Sequence, residues 1–460
     1  MILEQHYLAC LSQASYLIAD EASKLAAVVD PRRDVGVYLD RARELGVEIR
    51  HVFLTHFHAD FVSGHLELAE ATGATIHIGE RASAEFAFEP MRQGGSLELG
   101  DQVRLEFLET PGHTPESCSI LVFDRASSEE VPHAVLTGDT LFIGDVGRPD
   151  LLASVGMTAE ELAGLLYEST RTKLLPLPDE TLVYPGHGAG SACGKNLSTD
   201  TVSTVGAQRG ANYALQEMSR AEFVGLVTAA QPPAPAYFSY DAALNKKKRE
   251  TLDRVLERGA VGLSLEECLK AQADGAQLLD ARSPDTFAAG HLAGSINVGL
   301  DGRYATWAGT VLDLDRPIVV VAEEGRQEEA VLRLGRIGLD RVVGYLEGVE
   351  RALKSADLVS FERVSAEELE RRLGGDSAPA VLDVRQPGER EVNHIPGSVH
   401  IPLGELASRL DEVPTGAPLV VTCAGGYRSA IAVSLLERGG VRGASDLIGG
   451  MSAWEKAAAR

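Results

Sequence analysis

Short apolar runs of strand length alternate with helix-like stretches along the first half of the chain. Runs at 51–54, 75–78, 105–108, 119–123, 134–136 and 182–183 are mainly apolar and bounded by polar residues, which predicts buried strands. Residues 64–72 and 157–175 carry apolar side chains at a spacing of three and four, which predicts amphipathic helices. The pattern therefore predicts one α/β domain over residues 1–255.

The second half of the chain contains an internal repeat. Residues 279–295 match residues 382–398 at an offset of 103, and the apolar runs 317–321 and 418–422 match at an offset of 101. A repeat of about 100 residues is long enough for each copy to bury its own core. We expect two similar α/β domains, over 256–357 and 358–460.

Composition and charge exclude several classes of function. The 460 residues carry a formal charge of −24, which argues against nucleic-acid binding because phosphates need clustered Lys and Arg. No apolar run approaches the roughly 20 residues that span a bilayer. The first residues lack the basic start of a signal peptide, so we expect a cytoplasmic protein. The five scattered cysteines favour free thiols, and the basic run at 245–249 is interpreted as a solvated connector or helix start.

Potential metal ligands follow the ends of four predicted strands. Three potential ligands, at positions 56, 58 and 60, follow the apolar run 51–54. Alternate positions share one face of an extended chain. The others lie beside glycine after later strands, where loops commonly carry function. The six residues are His56, His58, Asp60, His113, Asp139 and His187. Imidazole and carboxylate are transition-metal ligands, so the sequence predicts a metal site.

The last domain carries a candidate nucleophile. Its glycine-rich loop, hereafter the thiol loop, consists of Cys423, Ala424, Gly425, Gly426, Tyr427, Arg428 and Ser429. A thiol at a helix N-terminus faces unpaired N–H groups and the positive end of the helix dipole, which favours the nucleophilic thiolate. Arg428 adds a cation for an anionic sulfur substrate. In the middle domain Ala322, Glu323 and Glu324 occupy the matching positions, so we expect that domain to be catalytically silent.

The metal motif resembles that of the metallo-β-lactamase superfamily, which implies an αββα sandwich for residues 1–255. One position departs from the family pattern, because Phe61 replaces a histidine that helps to hold a second metal. Within the superfamily, residues 58–60, 111–115 and 147–150 look most like the persulfide dioxygenases. That resemblance implies one Fe(II) per chain held by His56, His113 and Asp139, with His58, Asp60 and His187 orienting ligands or dioxygen.

The two C-terminal domains resemble rhodaneses, which implies parallel-sheet α/β folds. The shared features are Asp383, Arg385, the segment 394–397 and the C-x4-R loop. The whole arrangement is similar to fusions of a persulfide dioxygenase with an inactive and an active rhodanese domain. It implies a low-molecular-weight thiol persulfide (of glutathione, bacillithiol or coenzyme A) and O2 as substrates, sulfite and thiosulfate as products, and a homo-oligomer.

Several interpretations stay open at this point. Arg148 and Lys195 can bind substrate carboxylates or serve as structural cations, and Cys193 can accept persulfide sulfur or simply fill a small space. A mononuclear zinc thioester hydrolase similar to the glyoxalase II branch is the alternative enzyme. A non-enzymatic reading makes the rhodanese pair a protein-binding or sulfur-sensing module.

Overall fold

The computed structural model describes residues 1–151, 156–229, 231 and 233–459. These residues divide into two compact units. The first unit contains Met1–Leu252 together with Gly335–Gly338, and the second contains Asp253–Leu334 and Leu339–Arg460. No helix in the described ranges combines the length and the apolar character that crossing a bilayer requires.

The first unit is built on two mixed β-sheets, each with six strands among the residues described. The first sheet follows chain order: β1 (Ile2–Leu8), β2 (Gln13–Asp20), β3 (Leu25–Val29), β4 (Glu48–Phe53), β5 (Thr75–Gly79) and β6 (Glu89–Met91). In the second sheet, too, neighbouring strands follow chain order: β7 (Ser96–Leu99), β8 (Val103–Glu109), β9 (Cys118–Asp124), β10 (Ala134–Gly138), β11 (Leu182–Pro185) and β12 (Ser203–Thr204).

Helices cover the outer faces of the two sheets. They are α1 (Gly36–Leu45), α2 (His65–Thr72), α3 (Ala159–Ser169), α4 (Val205–Ala211) and α5 (Arg220–Thr228). A further helix, α6 (Phe238–Leu244), directly precedes Asn245. A π-helical turn, Thr170–Leu174, extends α3 over the predicted helical stretch. Thr158 begins α3 with a capping box to Glu161, so two of the unpaired backbone donors at the helix start are satisfied.

Packing explains why the strands are continuously apolar. Tyr16, Val29 and Phe53 from the first sheet and Leu105 and Ile120 from the second form one core between the sheets. The opposite faces pack against the helices in two further cores. A strand buried on both faces has no polar side to present to water, so all five residues of β10 are buried. The predicted αββα sandwich is confirmed.

The second unit contains two parallel five-stranded sheets, counted over the described residues. The first sheet has the order β13 (Gly262–Leu263), β18 (Val342–Leu346), β17 (Ile318–Val321), β14 (Gln277–Asp280) and β16 (Ile296–Asn297). Two short strands, β15 (His291–Leu292) and β19 (Leu358–Val359), pair with each other outside this sheet. The second sheet has the order β20 (Arg363–Val364), β24 (Ala444–Leu447), β23 (Leu419–Thr422), β21 (Ala380–Asp383), β22 (Val399–His400). The equivalent strand orders confirm two similar parallel α/β domains.

Helices flank both parallel sheets. The first group comprises α7 (Leu252–Gly259), α8 (Leu265–Ala273), α9 (Pro284–Ala289), α10 (Tyr304–Val311), α11 (Gln327–Gly335) and α12 (Val349–Lys354). The second group comprises α13 (Ala366–Leu373), α14 (Pro387–Val392), α15 (Tyr427–Arg438) and α16 (Gly450–Ala458). The helix α15 begins directly after Gly426, at Tyr427 of the thiol loop.

Candidate metal centre and thiol loop

The predicted metal ligands converge where strands of the two sheets of the first unit end. His56, His58 and Asp60 follow β4, His113 follows β8, Asp139 follows β10 and His187 follows β11. All six side chains are buried. One ligand atom each from His56, His113 and Asp139 lies within 4.8 Å of the others, and His58, Asp60 and His187 form a second such group.

Hydrogen bonds at Nδ1 fix the ring orientations of His56 and His113. Thr55 Oγ1 donates to Asp30 Oδ2 (2.8 Å), so it accepts from His56 Nδ1 at 3.0 Å. His113 Nδ1 donates to the Arg148 carbonyl at 2.8 Å. Both Nε2 atoms therefore keep free lone pairs, which lie 3.8 Å and 3.5 Å from Asp139 Oδ2. Burial lowers the pKa of both rings and favours the neutral form that binds metal.

Asp139 links the two groups of ligands. Its Oδ1 lies 2.8 Å from His187 Nδ1, and its Oδ2, which lies 3.1 Å from the same nitrogen, also faces His56 and His113. Burial opposes ionisation of Asp139, but His187 and the neighbouring imidazoles hold its pKa well below the usual range. His187 also approaches Asp60 Oδ2, at 2.9 Å from Nε2. Burial would lower the pKa of His187, but the two carboxylates raise it well above its ordinary value.

Two glycines permit this close approach. Gly138 has φ +50°, and a Cβ there would lie 2.5 Å from Thr55 Oγ1. A Cβ on Gly186 would lie 2.5 Å from Asp139 Oδ1. Any side chain at either position would push apart the strand ends that carry the ligands, so the glycines beside Asp139 and His187 serve the site.

The donor set fits a transition metal. Two neutral imidazole nitrogens and one carboxylate oxygen, each held by a further hydrogen bond, are the ligands that such ions prefer in proteins. The site is therefore a buried His/Asp metal site of the kind that the sequence predicts. His187 has both ring nitrogens within 2.9 Å of carboxylates, so it orients Asp139 in this arrangement.

Phe61 takes the space beside the second group of ligands. Its side chain is buried, and its ring centroid lies 4.3 Å from that of His58 and 6.3 Å from that of His187. A benzyl ring offers no lone pair to a metal. His58 instead lies 3.0 Å from Asp30, between its Nε2 and Oδ1 atoms.

The sequence interpretation missed two residues that organise the metal-binding loop. Asp30 accepts from the backbone N–H and the hydroxyl of Thr55, both at 2.8 Å. Asp30 comes directly after β3, just as the candidate ligands come after their strands, and this signal could have identified it. Asn245 is buried and donates to the carbonyls of His58 and Phe61 at 2.8 Å.

The basic run at 245–249 is only in part the predicted solvated connector, because Lys247 and Lys248 are exposed whereas Asn245 is buried and Arg249 is paired with a carboxylate. Arg249 Nη2 donates to Glu67 Oε2 at 3.0 Å, and Arg33 Nε donates to Glu67 Oε1 at 3.1 Å. Glu67 is buried. A buried carboxylate needs cationic partners, so these arginines serve the interior of the first unit.

The three candidate substrate-binding residues have protein partners. Arg148 is buried and makes two 2.7 Å hydrogen bonds to Asp150. Lys195 Nζ donates to the carbonyls of Leu226 and Ala229. Cys193 forms a third possible ligand group with Asp139 and His187, and burial, reinforced by the nearby carboxylates, raises its thiol pKa well above the ordinary value.

The thiol loop wraps around the sulfur of Cys423. The Gly426 N–H donates to Sγ at 3.1 Å, and Ser429 Oγ lies 3.5 Å from it. Gly426 has φ +89° and is the N-cap of α15, so the N-terminus of that helix points at the sulfur. The backbone of α16 holds the other side of the loop, because Met451 N donates to the Cys423 carbonyl at 2.7 Å.

The middle domain contacts the thiol loop within the second unit. Tyr427 Oη donates to the Gly299 carbonyl at 2.6 Å. In the middle domain's own loop, Arg326 is paired with Asp301 and Glu329 at 2.8 Å and 3.0 Å, and Ala322 stands in the place of the thiol. That loop therefore presents no nucleophile at the position of Cys423.

Comparison with known proteins places this geometry in a family. A model of the metallo-beta-lactamase superfamily matches residues 8–187, and a model of the rhodanese-like domain matches residues 264–352 and 365–457. A solved metallo-beta-lactamase from Staphylococcus aureus is 31% identical and superposes with a TM-score of 0.67, covering 75% of this chain and 98% of its own. The chain belongs to the metallo-beta-lactamase superfamily. Its second unit carries two rhodanese-like domains.

Curated relatives of this superfamily member have two different activities. The mitochondrial persulfide dioxygenase ETHE1 of Bos taurus is 28% identical over 238 residues, which cover 51% of this chain and 83% of the relative. A hydroxyacylglutathione hydrolase of Polaromonas sp. is 35% identical over 175 residues, covering 38% of this chain and 61% of the relative. The chain spans between 41% and 61% of the length of the first curated relatives it matches.

Proposed function

We propose that this protein oxidises a low-molecular-weight thiol persulfide with O2 and transfers sulfane sulfur at Cys423. The balanced first reaction converts R–S–SH, O2 and H2O into RSH, sulfite and two protons. The observation that carries the proposal is a two-His, one-carboxylate ligand set whose neighbouring position is filled by Phe61. The similarity to a persulfide dioxygenase supports the same assignment.

The ligand set suits a single non-haem Fe(II) held by His56, His113 and Asp139. Such an ion, when bound, supplies the redox chemistry and the open positions for sulfur and dioxygen. The chain supplies the orientation. Thr55 and the Arg148 carbonyl keep the proton of each ligand histidine on Nδ1. His187 Nδ1 holds the Asp139 carboxylate, most closely through Oδ1, while Oδ2 faces the ligand nitrogens.

The second step uses the thiol loop. Cys423 would carry sulfane sulfur as a persulfide, and sulfite would take that sulfur to form thiosulfate while the Cys423 thiolate is regenerated. The Gly426 N–H, at 3.1 Å, stabilises negative charge on the sulfur. Arg428 supplies the cation for the sulfur oxyanion.

A zinc thioester hydrolase is the second candidate, because the hydroxyacylglutathione hydrolase relative is 35% identical over its matched region. Metal analysis combined with oxygen uptake separates the two. One iron per chain with O2 consumption on glutathione persulfide is expected. Zinc as the native metal, with anaerobic thioester hydrolysis and no oxygen uptake, would contradict the proposal.

The coupling between the two reactions has its own test. Cys423→Ser replaces a polarizable thiolate with a hydroxyl that stays protonated, so sulfur transfer should vanish while O2 consumption persists. At matched oxygen consumption, products should shift from thiosulfate toward sulfite. Unchanged thiosulfate, above the amount formed without enzyme, would show that Cys423 does not complete the reaction.

A further inference from the structure

Arg428, the cationic side chain of the thiol loop, is already paired with the carboxylate of Glu389. Arg428 Nη1 and Nη2 donate to the two carboxylate oxygens of Glu389 at 2.7 Å and 2.6 Å. The side chain of Arg428 is 15% exposed, and that of Glu389 is 36% exposed. Glu389 belongs to α14, in which no residue is buried. A substrate anion that reaches Cys423 must therefore compete with Glu389 for Arg428.

Neighbouring arginines offer no easy substitute. Arg385 is bound to Asp383 at 2.8 Å and to the Asn393 carbonyl at 2.6 Å. Arg390 donates to the hydroxyl and the carbonyl of Ser398 at 2.8 Å and 2.7 Å. Both guanidinium groups are hydrogen-bonded to protein groups that hold the fold, so Arg428 is the cation through which the loop recognises an anion.

The internal repeat separates structural pairs from functional ones. The pair Asp383–Arg385 recurs in the middle domain as Asp280–Arg282, with the same two-point hydrogen bonding. Three other residues of the active domain are replaced together: Cys423 by Ala322, Arg428 by Gln327 and Glu389 by Thr286. The fold of the middle domain is intact without the Arg–Glu pair. The pair therefore belongs to the chemistry of the thiol.

We propose that Glu389 determines which sulfur donor loads Cys423. It selects against dianionic donors such as thiosulfate and favours organic persulfides, whose outer sulfur carries at most one negative charge. This inference rests on the sulfur transfer proposed for Cys423 and names its donor class. The physical reason is that a dianion meets both the competition for Arg428 and the repulsion of the displaced carboxylate.

The two loading reactions differ in the charge that must enter the loop. With a persulfide, the Cys423 thiolate attacks the outer sulfur of R–S–SH, the new S–S bond forms, and the S–S bond between the RS group and that outer sulfur breaks. The electron pair leaves with RS⁻, which takes a proton from water. With thiosulfate the same attack releases sulfite as a dianion. Of the two loading reactions, only the second brings a dianion to Arg428 and leaves one there. Sulfite that unloads Cys423 meets the same carboxylate, so donor preference is measured with cyanide as the acceptor.

Donor preference in Glu389→Gln tests the proposal on the full-length holoprotein. Glutamine removes the charge and keeps a carbonyl oxygen that can still accept from the Gln386 N–H, which Glu389 now accepts at 2.9 Å. We expect kcat/KM for thiosulfate, with cyanide as acceptor, to rise roughly three- to tenfold through a lower KM. With glutathione persulfide as donor, kcat/KM should stay within about twofold, since that donor does not depend on Arg428 to the same degree.

Glu391→Gln is the matched control, because it removes the same charge from an exposed position of the same helix. It should change neither donor by more than about twofold. An unchanged donor ratio in Glu389→Gln, a loss of thiosulfate activity, or an equal effect of Glu391→Gln would overturn the role given to Glu389. Absence of transfer from both donors in the wild-type protein would instead defeat the function proposed for Cys423.

Discussion

Replacing Asn245 with alanine is expected to loosen the metal-binding loop of the first unit. The Asn245 amide donates to the carbonyls of His58 and Phe61 and accepts from the N–H of Ser63, each at 2.8 Å. The side chain is fully buried. It therefore ties down the loop that carries His56 and His58 at three points.

The magnitude follows from the backbone groups that lose their partner. Alanine leaves two carbonyls and one N–H unsatisfied in a buried place, and each such loss costs about 1–3 kcal/mol. Water entering the cavity recovers part of this, so we expect a net destabilisation of roughly 3 kcal/mol. Because loosened supporting groups reduce metal affinity by about 10–100-fold, affinity should fall at least tenfold.

Two measurements on the full-length protein check this prediction. Competition with a chelator gives the metal affinity, and thermal loss of metal-dependent activity reports on the first unit without assuming that the whole chain unfolds in one step. Asn245→Asp keeps the acceptor for Ser63 but loses both donors, so it should lie closer to alanine than to wild type. Asn196→Ala, which removes the same side chain at an exposed position of the first unit, is the control.

An Asn245→Ala variant with nearly unchanged stability would contradict this prediction. If Asn245→Ala differed from Asn196→Ala by less than about 0.5 kcal/mol, the size of an ordinary surface substitution, the three hydrogen bonds would not hold the loop. Metal affinity within about twofold of the control would lead to the same conclusion, because it would separate the loop from the ligands.

Three further predictions concern metal number, independence and pH. Phe61→His supplies an imidazole beside the second ligand group, so the metal content of the reconstituted variant should rise above one ion per chain. Two ions per chain in the wild-type protein would contradict this prediction. His113→Ala should abolish metal-dependent O2 uptake while thiosulfate:cyanide transfer stays within about twofold, because the thiol loop needs no metal; parallel loss of both would refute it. Glu437 lies 3.3 Å from His291, and that hydrogen bond lowers the glutamate pKa, so its stabilisation is present above the ordinary value of 4.5 and is lost as the pH falls below it. Glu437→Gln should lower the melting temperature of the second unit at pH 7, and the difference should shrink toward acidic pH; a constant difference would contradict the linkage.

The sequence alone determined the elements and the chemistry of the ligands. Strands such as β10 are short apolar runs because both faces are covered, and that requirement is written in consecutive residues. The His56, His58 and Asp60 motif directly after a strand likewise marked the ligands, although the segment bends at 55–56 and 59–61 and divides them between two ligand groups. The repeat exposed the missing thiol at Ala322, since similar domains can be compared position by position. These features depend on near neighbours in the chain, so they could be predicted.

Tertiary structure alone decided which side chains meet and in what state. The pairing of His187 with Asp139 joins residues 48 apart, and the contacts of Asn245 with the metal-binding loop join residues more than 180 apart. The placement of Glu389 on Arg428 spans 39 residues. Hydrogen bonds of this kind depend on where strand ends and loops come together in space, which no local pattern records. Burial then sets the protonation of each group, because the cost of a charge depends on its final surroundings.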